Sequence, residues 1–180
     1  MALSFRSANS NSLVWSRISK ELPSQHFEFL TMAALSEQAL PIPLKVWQDP
    51  QGDVVLHHSR SECCIYFGCW ITNVEPANYL CRLSFHRAWA VRGTRWEFMP
   101  YKTVSHLRSC IYEVENSHWL VELSVEYQKL YPESRREKTA FHHYVVKGHD
   151  NYVELIASGF DETIVPFDEA GELRRLIDEA

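Results

Sequence analysis

The chain has 180 residues, 46% of them apolar, and a net charge of −5. That is the balance of one ordinary globular domain, long enough to bury about 70% of the surface its unfolded chain exposes. It excludes a membrane-spanning helix, because no window approaches the ~20 apolar residues a bilayer requires. The five cysteines, Cys63, Cys64, Cys69, Cys81 and Cys110, are odd in number and lack the spacing of a disulfide framework. The opening MALSFRSANSNSLVWSR has no apolar run for a signal peptide, so the sequence predicts a cytoplasmic protein with reduced, buried thiols.

In chain order, RSANSNS (6–12) is small and polar. Ser12 is placed to cap a helix LVWSRISKEL ending at Pro23, and Ser24 a second, QHFEFLTMAALSEQAL, stopped by Pro41 and Pro43. Residues 1–43 thus read as an N-terminal helical arm, and 44–180 as a single α+β domain. LKVWQ and DVVLHH flank Asp49-Pro50-Gln51-Gly52, which predicts a hairpin. CCIYFGCWI is a dense apolar run suited to a strand buried on both faces. NYLCRLSFHRAWAVRG alternates imperfectly from Leu80, and RSCIYEVE is a further strand. Asn116-Ser117 stands at the N-cap of a helix with the apolar stripe Trp119, Leu120, Leu123, Tyr127 and Leu130, ended by Pro132. PESRREK is a solvated connection. AFHHYVVK and YVELIAS form a hairpin closed by Gly148-His149-Asp150-Asn151, TIV is a last strand, and Asp168 caps a final helix. Strands in hairpin-like runs predict an α+β fold: a mainly antiparallel sheet with helices packed on one face and the N-terminal helical segment before it.

NSHWLVEL followed by HHYVVKGHDNYVELIA resembles a pattern in small uncharacterised bacterial α+β proteins. In these a Trp-bearing helix precedes a strand, a His-Asp turn and a strand with an inward glutamate. The resemblance spans about residues 110–160 and implies a compact α+β module with no activity attached.

FHHYVVKGHDNYVELI (141–156) is the densest polar constellation. A loop at 148–151 pairs residues whose numbers sum to 299. His142, Tyr144, Val146, Val153, Leu155 and Ala157 then share a core face, while His143, Val145, Lys147, Tyr152, Glu154 and Ile156 share the other. His143 lies diagonal to Glu154, within side-chain reach. Imidazole beside carboxylate suits acid/base or metal chemistry, with His149 and Asp150 at the tip as further candidates and His86, His106 or His118 as a third ligand. The plainer reading is a cross-strand polar pair, with Asp150 making a side-chain bond that fixes the turn. No HExxH, paired CxxC, GxSxG or phosphate loop occurs, so no metal and no cofactor are expected. Cys63 and Cys64 face opposite ways on a strand, and Cys63 and Cys69 stand about 20 Å apart, which defeats chelation.

Residues 82–108 carry six basic side chains against Glu97 alone, a net of +5; residues 149–180 carry nine acids against Arg174 and Arg175, a net of −7. In the first run Arg87, Arg92 and Arg95 interleave with Trp89 and Trp96, which suits a binding surface. The leading expectation is a non-enzymatic protein-binding or regulatory module. It would act through a charge-segregated, aromatic-rich surface on a protein partner or a second copy, with no membrane contact. A metal- or His/Glu-dependent hydrolase is one alternative. Nucleic-acid binding through the basic-aromatic run is another, opposed by an isoelectric point near 6.0.

Overall fold

The computed structural model describes residues 36–72, 75–103, 109–133 and 140–166. The predicted helices within 1–35 and after Asp168 lie outside the described residues. Ser36–Ala180 forms one compact unit.

The described strands are β1 (Gln38–Pro43), β2 (Trp47–Gln48), β3 (Val55–His58), β4 (Cys63–Thr72), β5 (Glu75–His86), β6 (Ala90–Thr94), β7 (Lys102–Thr103), β8 (Cys110–Glu115), β9 (His142–Lys147), β10 (Tyr152–Ala157) and β11 (Gly159–Pro166). A helix, α1 (His118–Leu130), sits between β8 and β9. One sheet has the order β6-β10-β9-β8-β1-β7; the other runs β11-β5-β4-β2, with β3 also on β4. All pairs are antiparallel except β1 with β7.

The α+β expectation is overturned. Of the described residues, 57% are strand and 11% helix. What closes the six-stranded sheet is a second sheet, because β4 and β5 send Ile65, Phe67, Cys81, Leu83 and Phe85 into one core with Ile111, Tyr144, Val146, Val153 and Leu155. Sheet-on-sheet burial needs no helical layer there. A smaller cluster of Ala39, Tyr101, Val114, Val145 and Tyr152 lies on the other side of the six-stranded sheet.

Three local expectations change with it. Gln38–Pro43, assigned to a helix end and its proline stops, is β1. It pairs with β8 along its length and, among the described residues, with β7 at Gln38 and Ala39, so no described strand on that side asks for a donor from Pro41 or Pro43. The turn at Asp49–Gly52 forms, with Gln51 N–H donating to Asp49 Oδ1 at 2.8 Å. Yet β2 and β3 do not pair with each other; both lie along β4, one beyond the other. The alternation over 80–93 breaks at Arg87, whose φ of 51° turns the chain from β5 in one sheet to β6 in the other.

Other readings hold. β9 and β10 pair Lys147 with Tyr152 through His142 with Ala157, each summing to 299. β4 is buried on both faces from Cys63 to Phe67. Ser117 caps α1, its Oγ accepting from Leu120 N–H at 3.0 Å. The helix stops at Leu130, one residue after which Tyr131 N–H closes on Tyr127 O at 2.9 Å and Pro132 follows. In its apolar stripe Trp119, Leu120, Leu123 and Tyr127 are half-buried and Leu130 is exposed.

Candidate functional site

Glu154 stands on β10 between Arg92 of β6 and Val145 of β9. Its side chain points away from the inter-sheet core, toward α1. It is 2% exposed. Arg92 Nε donates to Glu154 Oε2, and Arg92 Nη2 donates to Tyr101 Oη at 3.1 Å. Tyr101 Oη donates to Glu154 Oε1 at 2.5 Å. The Arg92 guanidinium lies 4.1 Å from the centroid of Trp119 in the first turn of α1, a cation–π stack.

His143 completes the cluster. Its Nδ1 meets Ser117 Oγ at 2.8 Å, and its Nε2 is 3.7 Å from Glu154 Oε1. The latter is an electrostatic contact, too long for a hydrogen bond, and Nε2 has no other partner. Ser117 Oγ also accepts from Leu120 N–H, so it joins the imidazole to the first turn of α1. Tyr101 and Trp119 enclose the imidazole edge-on, with ring centroids at 5.5 and 5.2 Å.

Burial alone would raise the Glu154 pKa; His143, Arg92 and Tyr101 outweigh it and hold the carboxyl down at about 2. Burial and the adjacent Glu154 push the Tyr101 phenol well above its usual range, so it stays a donor. The carboxylate is therefore a fixed acceptor at neutral pH rather than a group that exchanges protons. What the cluster does is bolt together β6, β9, β10, the cap of α1 and the segment carrying Tyr101.

The sequence brings His143 and Glu154 together as expected, on the face opposite the inter-sheet core, and the structure buries both. His149 and Asp150 are not brought to them. They pair with each other at 2.8 Å on the exposed tip, while their N–H groups donate to Gly52 O and Asp53 Oδ1. The tip is secured by Asn151, whose side chain brackets Val54, rather than by an Asp150 side-chain turn bond. His86 pairs with Asp161 at 3.1 Å and His118 with Glu37 at 3.7 Å; His106 lies outside the described residues. Among the described residues no group of three or more His, Cys, Asp or Glu is placed to hold a metal. The five thiols are free and buried, and burial drives Cys63 to about 11 and Cys69 to about 12.

The basic run is divided by the fold. Arg82 bonds Thr163 across β5 and β11, Arg87 occupies the corner, and Arg92 belongs to the Glu154 cluster. Arg95 lines a cleft of about 520 Å³ between the sheets, with Asp53, Leu56, Gly93 and Asn151. The aromatics are better gathered. Trp89 meets Tyr127 and Phe141 at 6.1 and 5.6 Å. Three strand residues on, about 10 Å, Arg92 meets Trp119, eight helical residues before Tyr127, about 12 Å. The matched spacings run α1 antiparallel to the segment from Trp89 to Arg92. Beyond them Trp96 and Phe98 are 60% and 64% exposed.

Local pattern did not single out Tyr101, and it did not connect the Ser117 cap or Trp119 with His143 and Glu154. No family model matches the chain, and neither does any curated protein or solved structure. Among the described residues no helix is long and apolar enough to cross a membrane.

Proposed function

We propose that the chain is a protein-binding module whose contact surface is the strip Trp89–Tyr127, Arg92–Trp119, Trp96 and Phe98. The observation that carries this reading is the exposure of Trp96 and Phe98 on a segment fixed by Tyr101 to a buried carboxylate. Large exposed aromatics with arginine, held rigid before binding, are the composition and the preorganisation of interface hot spots. The partner is another protein or a second copy. The hydrolase alternative is weaker: His143 and Glu154 are enclosed, and Glu154 is committed to Arg92 and Tyr101. Purification of tagged chain from its producing cells tests the proposal. A stoichiometric partner or second copy is expected with the wild type and lost with Trp96→Ala/Phe98→Ala at unchanged melting temperature. Neither protein retaining anything would contradict it.

A further inference from the structure

Among the described residues β6 ends the six-stranded sheet. The bond from Gly148 N–H to Asn151 O, 2.8 Å, sets the alternation along β10. Val153 and Leu155 turn their main-chain groups to β9; Tyr152, Glu154 and Ile156 turn theirs to β6. Their partners Thr94, Arg92 and Ala90 face inward, which leaves the N–H and C=O groups of Val91 and Gly93 on the outer edge. Such an edge invites another strand. Below it lies the 520 Å³ cleft, uncovered at Gly93, where an added Cβ would meet nothing within 4 Å.

We infer that the partner is a second copy, joined β6 to β6 in antiparallel pairing about a two-fold axis at Thr94. This rests on the binding proposal and narrows it to one occupant. In this register Arg95 of each copy stands over the bare Gly93 of the other, above a cleft whose far lip carries Asp53. The rim holds both signs, so a two-fold operation makes it self-complementary. On the outer face Arg92 stands opposite Trp96 of the second copy, which covers the exposed ring with a cation–π contact. Centring on Arg92 would oppose two guanidinium groups. Centring on Gly93 would oppose two bare Cα atoms over the cleft.

Thr94 faces its copy as a pair without mutual main-chain bonds, with Cα atoms about 4.5 Å apart, inside disulfide range. Thr94→Cys is therefore expected to form a covalent dimer under copper-phenanthroline, reversed by reductant, against a low background because the native thiols are buried. Ala90→Cys, four residues from the axis, stays monomeric on denaturing gels. Gly93→Val is expected to keep or raise the melting temperature while weakening dimerisation about tenfold or more, by displacing Arg95 of the second copy. No crosslink at Thr94→Cys, or a Gly93→Val dimer as tight as wild type, would overturn the edge assignment. If Trp96→Ala/Phe98→Ala still loses its co-purifying protein in that case, the binding proposal stands and only the edge fails; if not, both fail.

Discussion

Glu154→Gln keeps the shape of the buried side chain and removes its charge. The carboxyl sits at about 2 in the folded protein against an ordinary 4.5. Converted at 1.36 kcal/mol per unit, the ionised group contributes about 3 kcal/mol at pH 7, an upper figure because the Arg92 guanidinium is 45% exposed and partly screened. The folded pKa is depressed, so this stability is present above pH 4.5 and is lost as pH falls toward 2. By pH 3.5 it has dropped to about 2 kcal/mol. Urea denaturation of wild type and Glu154→Gln, repeated from pH 7 to 3.5, isolates the group because every other carboxylate is common to both. The expected difference is about 2–3 kcal/mol at pH 7, shrinking by about a third at pH 3.5. A difference below about 0.5 kcal/mol at pH 7, the usual size of a neutral surface change, or one that does not shrink in acid, would refute the reasoning.

Ser117→Ala removes a helix cap and leaves His143 Nδ1 unpaired in the interior, so it should cost about 2–3 kcal/mol in the same assay. Gly148→Ala would bring a Cβ to 2.8 Å from Val54 N and 2.9 Å from Asp53 Cα, both main chain, and should lower stability by about 1–3 kcal/mol by thermal melt. In the folded protein at pH 8 the aromatic disulfide DTNB should titrate fewer than one of the five thiols, and all five in guanidinium. Rapid reaction of the native chain would contradict buried thiols with raised pKa.

Features set by neighbouring residues were legible in the sequence. The β9–β10 register follows from its turn, the Ser117 cap from its place before the apolar stripe, and the burial of β4 from an unbroken apolar run. Alternation also separated His143 and Glu154 from the core face, but it says only which side chains share a face, never what covers it. Trp119, Tyr101 and Arg92 cover that face, and Arg92 and Glu154 are 62 positions apart. The fold class was missed for the same reason: β3 and β4 meet the strands of the other sheet only in three dimensions. β2, β3 and their good turn look like a hairpin until β4 is available to pair with both. Arg87 hid a change of sheet inside an alternating run.

Sedimentation velocity of purified wild type beside Trp96→Ala/Phe98→Ala tests most directly whether the Arg92-centred strip is a contact surface between two copies of the chain. The account predicts that the wild type sediments as twice the 21.0 kDa chain and the double variant, equally well folded, as the single chain. Identical sedimentation of the two proteins would contradict it.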